Sequence, residues 1–381
     1  MKWSYRLGKV AGIDVNIHVT FTLLIAWVLL THWLSGQTFG AAVNGLAFVI
    51  AIFGCVLLHE LGHALAARRF GIGTRDITLL PIGGVARLER MPEKPLQELW
   101  VALAGPVVNG LIAVVLYVWL VMTNQLVPFS QLGVVTGPFI ERLLAVNVLL
   151  IVFNMIPAFP MDGGRCVRAL LALRLEYAQA TRIAAGVGQV IAVGFVVLGL
   201  FSNPFLLLIG VFVWLGAAQE ARYATIKAAL RGVPVQRVLL RDVPMLAPTD
   251  SLARVVDAFR GGPLPKAVVV VQGRVIGVVS GLDLVTHLQR YGPTTPVAKV
   301  MQRNIPSLEL PATLDKALTR LHEARAPLMP VVSQGRFVGV ITLDQLDQFA
   351  ALQTALQRHV ANPIETRPGP IVTARPVSMG E

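Results

Sequence analysis

Long apolar stretches separated by short polar segments make up roughly the first 225 residues of the chain. A helix needs about 20 consecutive apolar residues to cross the hydrocarbon core of a bilayer. Residues 15–58 contain no Asp, Glu, Lys or Arg, and glycines at 36 and 40 divide this run in two. The pattern predicts six membrane-spanning helices, over residues 19–34, 41–65, 99–122, 143–156, 183–201 and 204–218.

After residue 231 the pattern changes to short β-rich runs between amphipathic helices. Two similar units follow one another as an internal repeat. In each unit we expect a short strand, a helix, two strands joined by a tight turn, and a final helix. Gln272-Gly273 and Gln334-Gly335 mark the two turns.

The predicted fold is therefore a polytopic α-helical membrane domain of about six transmembrane helices, followed by a soluble α/β tandem module. The first domain covers residues 1–225 and the tandem module covers 232–352, with repeats at about 232–290 and 296–352. Residues 362–381 contain several prolines and no apolar period, so we expect a disordered tail.

Composition and charge support a membrane protein. The chain is 55% hydrophobic and 14% charged, whereas soluble domains carry about 25% charged residues. Basic residues concentrate in every second loop, which by the positive-inside rule predicts a multi-pass protein of the cell membrane with both termini cytoplasmic. The net charge of +12 is explained by these flanking residues, so no nucleic acid partner is expected. Two cysteines indicate no disulfide framework.

The second apolar stretch contains the motif His59-Glu60-Leu61-Gly62-His63. Residues four apart lie on one face of a helix, so both imidazoles can reach one Zn²⁺ ion. Glu60 would then accept a proton from the attacking water as general base. The alternative is a helix end at the membrane interface with two solvent-seeking histidines, but titratable groups in an apolar helix are usually functional.

A hydrolytic zinc site usually has three protein ligands. Asp162 is the candidate for the third, because it ends the segment 154–164, NMIPAFPMDGG, on the same predicted side of the membrane. Prolines break the helix there, and the two glycines are expected to allow an unusual backbone turn. An ordinary helix-ending Asp-Gly turn is the alternative.

Together, HELGH on one span and N-x-x-P-x-x-P-x-D-G-G at the end of a later span resemble the site-2 protease family of intramembrane metalloproteases. Over about residues 1–225 this resemblance implies one zinc ion bound by His59, His63 and Asp162, with Glu60 as base. It implies hydrolysis of peptide bonds in or near the transmembrane helix of a membrane-protein substrate within the lipid bilayer. The two repeats are similar to paired cystathionine-β-synthase (CBS) domains, a combination that resembles a prokaryotic subgroup of the family.

Three further features fit the resemblance. The segment 81–89, with Gly83 and Gly84, is predicted as a strand or re-entrant hairpin whose edge could pair with an unwound substrate; an ordinary hairpin is the alternative. Asn154 could donate a hydrogen bond to the oxyanion or the substrate backbone, or could hold adjacent backbone. Asn109 is polar within the third span and is expected to find a partner there.

The repeats resemble domains in which a Ser or Thr, followed three residues later by Asp, holds the ribose and phosphates of an adenine nucleotide. Ser280 and Asp283 match this pattern, and Thr342 is followed by Gln345 instead of Asp. ATP or AMP is the expected regulatory ligand. The alternative is a pair that forms homo-oligomers or contacts the membrane domain.

Two other functions compete with the protease. Paired repeats of this kind also occur on transporters, so a nucleotide-gated membrane transporter is one alternative. The other is a non-proteolytic membrane scaffold of the same fold. Neither gives a role to His59, Glu60, His63 and Asp162 together.

Overall fold

We describe a computed structural model of the chain. It covers residues 4–36, 38–81, 83–92, 94–125, 133, 137–257, 266–303, 305–324, 326 and 328–361, without the side chains of 266, 280, 282, 283 and 357–361. The tail predicted to be disordered, 362–381, lies outside these residues. The chain divides into two compact units, Met1–Ala224 and Thr225–Glu381.

Helices lie at all six predicted positions: α1 (Thr20–Leu34), α2 (Phe39–Arg69), α3 (Pro95–Met122), α4 (Phe139–Asn154), α6 (Tyr177–Phe201) and α7 (Pro204–Ala229). A short helix that was not predicted, α5 (Asp162–Leu171), lies between α4 and α6 in the chain. Among the described residues, α2, α3, α6 and α7 are long and apolar enough to cross a membrane. Helix α1 has 15 residues and α4 has 16, so the count of six transmembrane helices stays a prediction.

A sheet of four strands accompanies the helices: β1 (Ser4–Val10), β2 (Ile13–His18), β3 (Thr74–Leu80) and β4 (Gly83–Leu88), in the order β1-β2-β3-β4. Strands β1/β2 and β3/β4 are antiparallel, and β2/β3 are parallel. The strand expected in 81–89 is thus confirmed, and it lies at an edge of the described sheet. Strands β1, β2 and β3 were missed, although the β2 sequence IDVNIH alternates apolar and polar residues.

Helices α2 and α3 pack closely because a glycine lies at their contact. A Cβ atom on Gly62 would lie 2.8 Å from the Ala104 carbonyl oxygen. Pro106 lies inside α3, where a proline removes one intrahelical hydrogen bond and opens the preceding turn. The buried side of α3 therefore faces the HELGH segment at short range.

The second unit contains the predicted repeat. The first half has β5 (Met245–Leu246), α8 (Leu252–Asp257), β6 (Lys266–Val271), β7 (Arg274–Ser280), α9 (Gly281–Tyr291) and α10 (Val297–Val300). The second half has β8 (Leu308–Glu309), α11 (Leu314–Ala324), β9 (Leu328–Ser333), β10 (Arg336–Thr342) and α12 (Leu343–Ala361). Each half forms a three-stranded sheet. Both Gln-Gly pairs have positive φ, between 48° and 74°, as hairpin turns of two residues require.

Candidate metal centre

Three predicted ligands converge at one buried point. His59 and His63 lie on α2, and Asp162 is the first residue of α5. The two Nε2 atoms are 3.1 Å apart, and Asp162 Oδ2 lies 3.3 Å from that of His59 and 3.0 Å from that of His63. All three side chains are buried. Tetrahedral zinc with bonds of 2.0–2.1 Å separates its ligand atoms by about 3.3–3.4 Å, so the donor set fits this metal.

The hydrogen bond made by His63 determines its tautomer, and therefore which ring nitrogen can bind a metal. Its Nδ1 lies 2.7 Å from the Val101 carbonyl oxygen. A carbonyl can only accept, so Nδ1 carries the proton and Nε2 of the neutral ring presents a lone pair.

A chain of two asparagines orients His59 in the same way. Asn147 Nδ2 donates to the Leu143 carbonyl oxygen at 2.8 Å, so Asn147 Oδ1 accepts from Asn109 Nδ2 at 2.9 Å. Asn109 Oδ1 is then left to accept from His59 Nδ1 at 2.7 Å. His59 Nε2 therefore also presents a lone pair to the centre. This confirms that Asn109 has a partner in the bundle.

Asp162 supplies a third acceptor. Its Oδ2 atom is buried and has no hydrogen-bond partner among the described residues. Three lone pairs within 3.3 Å of each other repel one another, and a cation between them removes this repulsion. Gly105 leaves the necessary room, because a Cβ there would lie 2.3 Å from His63 Nε2 and 2.7 Å from His59 Nε2.

The glycines after Asp162 act differently from the prediction. Gly163 and Gly164 are helical residues of α5 and do not have positive φ, so the expected unusual backbone turn is wrong. Their role is close approach. A Cβ on Gly163 would lie 2.3 Å from the Ile156 carbonyl oxygen, and one on Gly164 would lie 2.6 Å from the Ala158 carbonyl carbon. The missing side chains let α5 fold back against the segment that precedes it.

Glu60 lies beside strand β4. Its Oε2 accepts a hydrogen bond of 2.9 Å from the Ala86 N–H. A Cβ on Gly84 would lie 2.6 Å from Glu60 Cγ and 3.0 Å from Val56 Cγ1. Gly83 has φ +138° and opens the strand. The predicted base is thus connected to the edge strand by one hydrogen bond and one close contact.

Asn154 is the last residue of α4, and its Nδ2 donates to the Leu150 carbonyl oxygen at 3.0 Å. The side chain is half-buried, and an amide has a second N–H to donate. The contact with Leu150 agrees with the alternative in which Asn154 holds adjacent backbone. It leaves the predicted contact with substrate as a prediction.

Cys166 lies on α5, one turn after Asp162, but is not a further ligand. Burial, and then the negative charges of Asp162 and Glu98, raise the pKa of its thiol to about 11. Among the described residues its sulfur does not belong to the group of ligand atoms that converge from His59, His63 and Asp162.

The predicted nucleotide residues lie at strand–helix junctions of the second unit. Ser280 ends β7 and Asp283 lies in the first turn of α9, but their side chains are outside those described. Thr342 is fully buried, and its hydroxyl lies 3.2 Å from Gln345 Oε1. Gln345 Nε2 donates to the Val238 carbonyl oxygen at 3.0 Å. Gln345, which stands where Asp was expected, thus has its side-chain amide hydrogen-bonded within the domain.

Sequence reasoning missed Asn147 and the buried charges Glu98 and Arg168. Asn147 lies in a stretch predicted to span the membrane, where a polar side chain is itself a signal of function. Arg168 was counted among the basic residues of a loop, yet it is 2% exposed. Sequence pattern alone does not distinguish a loop arginine from one on a short buried helix.

The chain was compared with families of known proteins. The model of Peptidase family M50 matches residues 47–145, and the CBS domain model matches residues 235–290 and 297–350. The zinc metalloprotease MJ0392 of Methanocaldococcus jannaschii is 33% identical over 280 residues, covering 73% of this chain and 78% of that protein.

Two further similarities are to a mycobacterial protein and to a solved structure. A protein of Mycobacterium tuberculosis whose name contains the words zinc metalloprotease is 31% identical over 388 residues, covering 90% of this chain and 91% of that protein. The solved structure of a site-2 protease from Methanocaldococcus jannaschii is 37% identical, with a TM-score of 0.43, and covers 57% of this chain and 95% of that chain.

Asn109→Ala is expected to weaken zinc binding about 10–100-fold, because His59 loses the acceptor that fixes its orientation. Competition with a chelator of known affinity measures the change. Asn44→Ala is the matched control, since Asn44 is an exposed asparagine of α2. Equal zinc affinity in Asn109→Ala and wild type would contradict the orienting role.

Gly84→Ala is expected to lower kcat at least about 10-fold and to leave zinc affinity unchanged, because the new methyl group displaces Glu60 but none of the three ligands. Gly54→Ala on α2 is the control, because a Cβ there has no atom within 4 Å. Peptide cleavage and zinc content are measured on the same preparations. Unchanged kcat in Gly84→Ala would show that β4 does not position Glu60.

Proposed function

Because this chain belongs to peptidase family M50, the site-2 protease family of zinc metalloproteases, we propose that it hydrolyses peptide bonds in or near transmembrane segments of membrane-protein substrates. The observation that carries the proposal is the buried convergence of His59, His63 and Asp162 beside Glu60. In this proposal the three residues hold one Zn²⁺ ion and Glu60 is the catalytic base.

A zinc ion held there would supply Lewis acidity. This lowers the pKa of water, so that the water can lose a proton and attack an amide near neutral pH. Glu60 accepts the proton of the attacking water and passes it to the leaving amine nitrogen. The hydrogen bond from the Ala86 N–H holds one carboxylate oxygen in place. The other oxygen is left to take the proton.

The substrate would bind as an extended strand along β4. A helical substrate has its backbone groups satisfied within the helix, so it must unwind before attack. The outer side of β4 pairs with no other described strand, and such edges bind extended peptides through main-chain hydrogen bonds. The contact between Ala86 and Glu60 means that a peptide paired with this edge would lie next to the base. Asn154 would contact the substrate backbone or oxyanion with its second amide N–H.

The protein is a multi-pass membrane protein, and we place it in the cell membrane with both termini cytoplasmic. The support is the distribution of basic residues, which end α2 at Arg68 and Arg69 and are absent from residues 123–138. In this orientation the metal centre, close to the basic end of α2, draws its water from the cytoplasmic side.

The CBS pair is proposed to bind an adenine nucleotide, ATP or AMP, and to modulate cleavage. Ser280 and Asp283 at the start of α9 supply the first site. Thr342 supplies the second, where the engagement of Gln345 with Val238 favours the first repeat as the stronger site. Homo-oligomers through the CBS pair are a further proposal.

The two alternatives are a nucleotide-gated transporter and a non-proteolytic scaffold. Both leave three buried acceptor atoms facing one another without a cation or a use. Such an arrangement is costly in an apolar bundle, so the metal-dependent protease is the better explanation.

Glu60→Gln is expected to keep zinc and to lower kcat for a single-span substrate by about 10²–10⁴-fold or more, because the amide cannot take the proton. Zinc content and cleavage of a reconstituted substrate are measured together, with Asp162→Ala as the variant that should bind zinc more weakly and lose cleavage. Substantial cleavage by Glu60→Gln would remove Glu60 from the mechanism.

Asp283→Ala is expected to weaken the response of cleavage to ATP or AMP, because the proposed ribose contact is lost. The assay measures the cleavage rate of wild type and variant over a nucleotide titration, with Asp242→Ala, an exposed aspartate of the same unit, as control. If wild type itself shows no response to either nucleotide, the CBS pair acts as an interaction module instead.

A further inference from the structure

A buried ion pair connects α5, which carries Asp162, to α3, which packs against the two histidines. The guanidinium of Arg168 on α5 donates from Nε and Nη2 to Glu98 Oε1 on α3, at 2.8 and 2.5 Å. Its Nη1 donates to Glu220 Oε2 on α7 at 3.0 Å. Glu98 is 1% exposed and Arg168 is 2% exposed, whereas the Glu220 side chain is 32% exposed. The fully buried contact is therefore the one between Glu98 and Arg168.

This pair is not explained by stability. Removing two charges from water is costly, and replacing a buried ion pair by apolar residues of similar volume is often neutral or stabilising. An ion pair with two hydrogen bonds instead restricts the relative position of its partners. The donors of the planar guanidinium have fixed directions, so the carboxylate cannot move far without losing them. The pair therefore resists sliding of α5 along α3.

One face of α3 contacts both histidines and, through Arg168, the helix that carries Asp162. Glu98 binds Arg168, the Val101 carbonyl accepts from His63, Gly105 packs against both imidazoles, and Asn109 accepts from His59. These positions recur at helical spacing, so they share one buried side. The positions of the two histidines are thus set by direct contacts with α3, and the position of Asp162 is set by the contact between α5 and α3.

Arg168 also holds the segment that leads into Asp162. Its guanidinium carbon lies 4.9 Å from the centroid of the Phe159 ring, and Phe159 is fully buried. On another side it lies 5.0 Å from the ring centroid of Tyr177, at the start of α6. Arg168 therefore contacts the chain both before and after the metal-ligating carboxylate.

We propose that the Glu98–Arg168 pair is the positioning contact that sets α5 against α3 and keeps Asp162 Oδ2 within reach of the metal held by His59 and His63. Neither residue touches the reacting atoms. Both act through Asp162. The inference rests on the proposed metal centre and adds residues that the metalloprotease chemistry does not itself require.

Zinc affinity of the purified full-length protein tests this role. Glu98→Gln and Arg168→Met are each expected to raise the zinc dissociation constant about 10-fold or more, the lower end of the range for residues that orient metal ligands. Arg168→Lys keeps the charge without the planar fork and should lie between wild type and Arg168→Met. Glu220→Gln is the matched control, since it removes the charge from the more exposed contact in the same way, and should change affinity less than about twofold.

A double-mutant cycle separates positioning from a general loss of structure. If Glu98 acts through Asp162, adding Glu98→Gln to Asp162→Ala should cause no further loss of zinc affinity, whereas adding Asn109→Ala, which acts on His59, should still cause one. Glu98→Gln keeps the volume and an acceptor oxygen, so this arm stays informative even if Arg168→Met does not fold.

Two results would overturn this inference while leaving the proposed metal centre intact. One is additive loss from Glu98→Gln and Asp162→Ala. The other is a lowered Tm of Glu98→Gln with zinc affinity unchanged, which would assign the pair to stability. Failure of wild type to bind zinc at all is a different outcome, because it would remove the metal centre itself and this inference with it.

Discussion

Three acceptor atoms facing one another inside an apolar bundle are the constraint on which the first unit depends. The Val101 carbonyl determines the tautomer of His63, and the Asn109–Asn147 chain determines that of His59, so both Nε2 atoms point lone pairs at Asp162 Oδ2. Distances of 3.0–3.3 Å between them are tolerable around a divalent cation. The surrounding structure keeps these atoms together against their mutual repulsion.

The residues that hold the centre are mostly small or buried polar ones. Gly62 and Gly105 let α2 approach α3, and Gly163 and Gly164 let α5 fold back against the segment before it. Each substitution at these positions would place a Cβ within 3 Å of another atom. Close packing of backbones, and not unusual backbone angles, is the common reason for these glycines. The same reasoning applies to Gly84, which brings β4 against Glu60.

In the proposed function, the catalytic base and the substrate-binding edge lie in one place. Strand β4 donates a hydrogen bond to Glu60, and the same strand would receive an unwound substrate. Binding and proton transfer would then be aligned without a separate loop. The CBS repeats form their own unit, in which one half uses Gln345 to satisfy the Val238 carbonyl, so the two halves are not equivalent in chemistry.

The sequence by itself determined the helix positions, the repeated α/β unit with its Gln-Gly turns, and the motif His59-Glu60-Leu61-Gly62-His63. These follow from local rules: apolar length, turn chemistry and the spacing of residues on one helix face. Without the family resemblance, the sequence did not decide whether Asp162 is a metal ligand or part of a helix-ending turn. Local rules do not determine where a carboxylate distant in sequence will point. Tertiary structure brought Asp162 to the two histidines, put Asn147 behind His59, and buried Arg168 against Glu98. Those contacts join residues far apart in the chain, and they depend on which backbones pack closely enough to meet.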